Sequence, residues 1–164
     1  MFNKNNWREP IYENDVKTVI IFGFTAAILG GILTGLIDAT LYNVLGLGIS
    51  FFLLFNSLII GYSVKKGYER YHILYPVLAL GFMIVSIFFS YLSYYVGVAG
   101  IEQIGTILSS PTFYLELVIL PFKYLRVMII SNNFNAIYFV NLILNIVFFV
   151  LAFVAVYRIA KGRN

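Results

Sequence analysis

The sequence predicts an all-α integral membrane protein with four transmembrane helices plus one amphipathic or re-entrant helix in the outer interface. Three observations carry that prediction. Hydrophobic residues make up 61% of the chain and charged residues 11%, against roughly 45–50% and 25% in soluble domains. Four apolar runs of about 18–24 residues each are long enough, as helix, to cross a hydrocarbon core of about 30 Å. Lys and Arg gather at one set of run ends, which is the membrane pattern of basic residues. The chain has 164 residues and shows no break in composition, so it reads as one membrane domain, 1–164.

The first span covers residues 19–42. It follows the polar opening MFNKNNWREPIYENDVK, which is too long and too mixed in charge for a cleaved signal peptide. Gly23, Ala27, Gly31, Gly35 and Ala39 recur along it every four residues. Such a stripe lets another helix approach until the two backbones touch. A helix of the same chain and a second copy of the chain would use it equally well. Asp38, near the outer end, is the one carboxylate inside a span, and an intramembrane carboxylate is a functional candidate by default.

The glycine-containing hairpin NVLGLG leads into the second span, residues 47–64, which carries Asn56 and Ser57. The loop KKGYERYH follows. Its Lys65, Lys66 and Arg70 mark the inner side and form a candidate contact for anionic lipid headgroups. His72, the single histidine, reads as a polar tip snorkelling at that interface. The third span, residues 73–96, has Pro76 in its first turn, where a missing N–H costs little. Ser86 and Ser90 fall in its outer half.

The segment SSPTFYLELVILPFKYLRVMII resists assignment as a span. Ser110 and Pro111 read as a helix start. Lys123 and Arg126 would each cost up to about 2.5–3.5 kcal/mol at the bilayer centre. Thr112, Glu116, Lys123 and Arg126 share one face of a continuous helix, and Pro121 kinks it. The prediction is therefore one interfacial or re-entrant helix over residues 111–130. The fourth span is residues 136–157, with Asn141 and Asn145 one turn apart on one face.

Orientation follows from the basic residues. Lys4, Arg8, Lys17, Lys65, Lys66, Arg70, Arg158, Lys161 and Arg163 fall on one side of a four-span topology, and only Lys123 and Arg126 fall on the other. The positive-inside rule puts both termini in the cytoplasm. Tyrosines cluster towards both ends of the spans rather than at their centres, as ring systems with a polar tip do at headgroup level. Abundant Phe, Ile, Tyr and Asn point to an AT-rich bacterial genome, hence a bacterial cytoplasmic membrane.

Two constellations follow from depth. Asp38, Thr34, Ser90, Asn141 and Asn145 fall in the outer half and form a candidate polar pocket. Asp38, Glu116, Lys123 and Arg126 form a candidate charge latch, in which Asp38 pairs with Lys123 or Arg126 and docks the interfacial helix. Catalytic patterns are not found. The chain has no cysteine, the spans offer one carboxylate where a metal or an aspartyl-protease pair needs more, and no phosphate-binding glycine loop occurs. The reading is a non-enzymatic subunit without cofactor or metal, working through helix contacts with itself or with another membrane protein in the lipid bilayer. The net charge of +4 does not imply nucleic acid, because the basic residues sit at span ends. The alternative is a component of a small-solute or ion transporter or channel, with an outward pocket around Asp38.

Overall fold

A computed structural model of the chain describes residues 10–45, 52–119, 122, 128–130 and 136–162. The elements among them are helical. They are α1 (Glu13–Leu45), α2 (Phe52–Lys66), α3 (Leu74–Ala99), a 3-10 turn (Ile101–Gln103), α4 (Ile104–Ser109), α5 (Pro111–Val118) and α6 (Ala136–Lys161). Three of these helices, α1, α3 and α6, are long and apolar enough to cross a membrane. α2, with 15 residues, spans about 22 Å at 1.5 Å per residue.

α1 begins earlier than its apolar run. Glu13 and Asp15 lie in its first turn, where carboxylates meet the positive end of the helix dipole. Glu13 also pairs with Lys17 at 2.7 Å across one exposed turn. Hydropathy marks where lipid begins; capping chemistry marks where the helix begins. At the other ends the dipole is answered by Lys65 and Lys66 in the last turn of α2, and by Arg158 and Lys161 in that of α6. α3 starts on a histidine: His72 Nδ1 accepts the Leu74 N–H at 3.1 Å, one of the orphan donors of a helix start. His72 is therefore not a snorkelling tip. It is buried, 4% exposed, and its ring stands edge-on to Tyr75.

α1 and α3 run parallel and touch along the predicted stripe. A Cβ on Gly31 would lie 2.6 Å from the Ser86 carbonyl oxygen, and one on Gly35 2.0 Å from that of Ser90. Further along, Ala39 meets Gly97. Backbone meets backbone, a distance only glycine allows. α2 runs antiparallel beside them: Gly23 faces Val64 and Gly30 faces Asn56. α6 packs on α2 and α3. α1 and α6 thus occupy opposite corners of the bundle, with α2 and α3 in contact between them. Val19, Ile60, Val64, Tyr75, Met83 and Val156 are fully enclosed between the helices. Ile21, Leu29 and Leu33 of α1 point outwards, as an apolar lipid-facing side requires.

One end of the bundle gathers both ends of the described chain. Gly67 sits against the Val19 backbone. Tyr68 Oη donates to Ala160 O at 2.6 Å. Asp15 Oδ2 accepts the Glu69 and Arg70 backbone N–H groups at 3.4 Å. At the opposite end, Gly100 at φ +96° takes the chain off α3, and α4 and α5 fold back beside it.

The interfacial helix differs from its prediction. It is not one helix over 111–130. α5 ends at Val118, where Ile119 leaves helical geometry at φ −92°, ψ 7°. Pro121 explains this: it has no N–H for a fourth-neighbour bond, and its ring disfavours helical geometry in the residue before it. The hairpin NVLGLG, Lys123 and Arg126 lie wholly or in part outside the described residues.

Candidate functional site

The last turns of α3 present Tyr91 and Tyr95, four residues apart and so on one face. α5 presents Phe113 and Glu116, three apart, on the face turned towards them. Phe113 is 4% exposed. Its ring lies 6.0 Å from those of Tyr91 and Tyr95 and 5.9 Å from that of Phe88, within the range of favourable aromatic pairs. That apolar plug seats α5. Glu116 completes the contact: its carboxylate accepts Tyr91 Oη at 3.0 Å and Tyr95 Oη in a shorter bond. Hydrogen bonds to a carboxylate are charge-assisted and among the stronger ones in proteins. Tyr114 Oη donates to Leu108 O at 2.7 Å and ties α5 back to α4.

Beside this cluster a cavity of about 420 Å³ opens between the end of α3 and the α4–α5 turn. Tyr95, Ala99, Ile107 and Phe113 give it apolar walls; Gln103, Thr106, Ser110 and Thr112 add neutral polar groups; Glu116 gives it a carboxylate. Size and lining are those of small-molecule sites, which are mostly apolar with a few placed polar groups.

The predicted pocket is divided. Thr34 Oγ1 lies 3.2 Å from Ser90 Oγ and within 3.0 Å of the Gly30 and Gly31 carbonyls. This hydroxyl pair joins α1 to α3. Asp38 lies half-buried one turn beyond Thr34. Asn141 and Asn145 belong to the other corner, and Asn145 Nδ2 donates to Asn141 O of its own helix at 2.8 Å. Helical rise predicts how deep a residue sits; it does not predict which corner of the bundle its helix occupies. A separate polar tie lies deeper, where buried Asn56 Nδ2 donates to Ser86 Oγ and Gly30 leaves room for the amide.

Of the latch, Glu116 is engaged by tyrosines, and the partners proposed for Asp38, Lys123 and Arg126, lie outside the described residues. The stripe is the set that holds together best: Gly23 meets Phe82, Gly31 and Gly35 meet the α3 backbone, and Ala27 and Ala39 are buried.

The Tyr91–Tyr95–Phe113–Glu116 cluster is not singled out by sequence reasoning. The tyrosines read as members of an interfacial belt. The signal that finds them is the pairing of a four-residue spacing on α3 with a three-residue spacing on α5, which follows it after the 3-10 turn and α4.

At the end that holds both chain ends, Tyr68 stacks on Tyr75 at 4.8 Å with 16° between the rings. Burial, then the neighbouring Tyr71 and Tyr75, pushes the Tyr68 hydroxyl up to about 12. The Arg70 guanidinium lies 4.8 Å above the Tyr12 ring and donates to its hydroxyl, while Lys65 and Lys66 are exposed. Among the described residues no group of three or more His, Cys, Asp or Glu could hold a metal ion.

No protein-family model matches the chain, and comparison with curated proteins and with solved structures finds no match.

Proposed function

We propose that the chain is a non-enzymatic, four-span subunit of the bacterial cytoplasmic membrane, with both termini cytoplasmic, and that its working part is the cavity beside Glu116 on the outer face. The observation that carries this reading is the carboxylate held by Tyr91 and Tyr95 on the wall of a 420 Å³ cavity. A carboxylate fixed by two donors in an apolar setting is a recognition group, since preorganised polar groups in apolar pockets orient ligands. No nucleophile with a hydrogen-bonded base accompanies it among the described residues, so binding is favoured over chemistry. The antiparallel course of α2 between α1 and α3 supports a fourth crossing. Lys17, Lys65, Lys66, Arg70, Arg158 and Lys161 at the end that holds both chain ends support its cytoplasmic placement.

The subunit's contacts with itself or with a partner protein would use the outward apolar faces of α1 and α6, because the small-residue stripe is taken up by α3. Native mass spectrometry of the full chain in mild detergent tests the working site. Wild type should retain a small molecule or lipid that Ala99→Phe, which fills the cavity from its exposed edge, loses. The same bound species on both proteins would overturn the assignment.

A second reading, a transporter or channel component, is favoured by one feature. The Thr34–Ser90 and Asn56–Ser86 ties step inwards from the cavity along α3. Reconstituted wild type and Asn56→Leu separate the two readings: ion or solute flux in wild-type liposomes that falls with Asn56→Leu would favour transport.

A further inference from the structure

We propose that the seam between α2 and α6, at the end that holds both chain ends, binds an anionic glycerophospholipid by its phosphate. The seam lies at the opposite end of the bundle from the Glu116 cavity, and its reading stands apart from that cavity's. The two helices run parallel and finish side by side. A Cβ on Gly61 would lie 2.9 Å from Ile159 Cβ and 3.3 Å from the Val156 carbonyl oxygen. One turn further, Gly162 lies beside the Lys65 side chain and the Tyr68 hydroxyl.

Each helix carries an exposed stripe that changes from apolar to basic as it reaches this end. On α2 it runs Leu58, Tyr62, Lys65, with Lys66 beside it; on α6 it runs Leu151, Val154, Arg158, Lys161. Three- and four-residue steps keep each set on one face. α3 packs on both helices, so the stripes flank the seam on the side turned away from it, towards lipid. At 1.5 Å per residue, Tyr62 sits about 4.5–6 Å deeper than Lys65 and Lys66. Apolar wall, phenol and cations thus follow the order of a phospholipid: acyl chain, ester region, phosphate.

Charge chooses the lipid. Lys65, Lys66, Arg158 and Lys161 are exposed, and none of them is in an ion pair among the described residues. The described acids of this end sit elsewhere. Glu13, Asp15 and Glu69 line a cavity of about 470 Å³ at the start of α1, with Tyr12, Asn14 and Arg70, and α1 holds the corner opposite α6. Arg70, which sequence groups with Lys65 and Lys66, belongs to that corner: it donates to Tyr12 and lies over its ring. The α2–α6 corner therefore has four cations and no described acid. Basic pockets between transmembrane helices on the cytoplasmic side bind anionic headgroups. Lys and Arg give phosphate oxygens charge-assisted hydrogen bonds, and the Tyr62 hydroxyl can donate another.

The full chain is placed in nanodiscs of phosphatidylglycerol and phosphatidylethanolamine in equal parts, with the same acyl chains, and the lipids it retains are counted by native mass spectrometry. Wild type should favour phosphatidylglycerol by about tenfold or more, each basic residue near a headgroup being worth about a factor of five. Lys65→Gln with Arg158→Gln should abolish most of that preference, and Lys65→Arg with Arg158→Lys should keep it. Lys17→Gln with Arg70→Gln removes the same charge from the same end, but at the α1 corner, and should also keep it. Tyr62→Phe should weaken retention a few-fold. A photoreactive residue at Leu151 should cross-link phosphatidylglycerol several-fold more than one at Leu29, which is exposed on α1 at a similar depth. Should the Lys65 and Arg158 double variant fail to fold, this cross-linking decides alone. No preference in wild type, equal losses in the two glutamine pairs, or equal cross-linking at Leu151 and Leu29 would overturn the site.

Discussion

Glycine at 31 and 35 is required by distance. At Gly35 any Cβ would sit 2.0 Å from the Ser90 carbonyl oxygen, and a main chain cannot swing aside as a side-chain tip can. Gly31→Leu and Gly35→Leu should therefore lower the unfolding temperature in detergent sharply, with a cost of about 1–3 kcal/mol or more for overpacking. Leu33→Ala, on the exposed side of the helix, should cost far less. Gly81 supplies the control, because a Cβ there meets nothing within 4 Å. Gly81→Ala should be neutral or stabilising by about 0.5–1 kcal/mol through helix propensity. Equal losses at Gly81 and Gly35 would remove the packing explanation. Tyr68 makes a prediction in pH. Its hydroxyl donates to Ala160 only while protonated, and its folded pKa is raised from the ordinary 10 to about 12. The raised value means its contribution is complete below pH 10 and is lost as pH climbs from 10 towards 12. Unfolding temperature should fall over that window in wild type, and less steeply in Tyr68→Phe.

Among the elements, the short α5 depends on what it is plugged into. Eight residues are too few to hold a helix by propensity alone, so its stability comes from Phe113 and from the Glu116 hydrogen bonds. Phe113→Ala should release it. The chain has no native cysteine, so a single cysteine at half-buried Ile107 reports the release as faster thiol labelling; unchanged labelling would show that α5 is held otherwise. Sequence reasoning recognised that this segment starts at Ser110–Pro111 and carries Glu116 on its polar face. It does not show that α5 stops at Val118, so that the helix carrying Glu116 ends before Lys123 and Arg126 are reached. The stripe of α1 was legible for a simple reason: four-residue spacing of small residues has one physical use, close approach. The partner was not legible, because a parallel third helix and a second chain present the same surface. Asn141 and Asn145 were read at their depth and misjudged in azimuth, which only tertiary packing decides.

For the whole molecule, the sequence placed its long helices and its basic end from composition and charge. Lipid leaves few alternatives to helices for a chain this apolar. Reporter fusions test the full topology: a cytoplasmic signal is expected at Asn164 and an external one after Ser109. The reverse at either site would break the proposed four-span arrangement, and a cytoplasmic signal after Ser109 would move the Glu116 cavity to the cytoplasmic side.

The parallel fit of α1 on α3 also orders events during biosynthesis. α1 leaves the ribosome before its partner exists, and α2 must be made and turned back before α3 can arrive. Until then the groove at Gly31 and Gly35, with the Thr34 hydroxyl beside it, has only lipid or the insertion machinery against it. A nascent chain halted after Lys66 is thus an orphaned hairpin, marked by an open glycine groove. It should be cleared by membrane proteases faster than a chain halted after Ala99, in which the groove is closed.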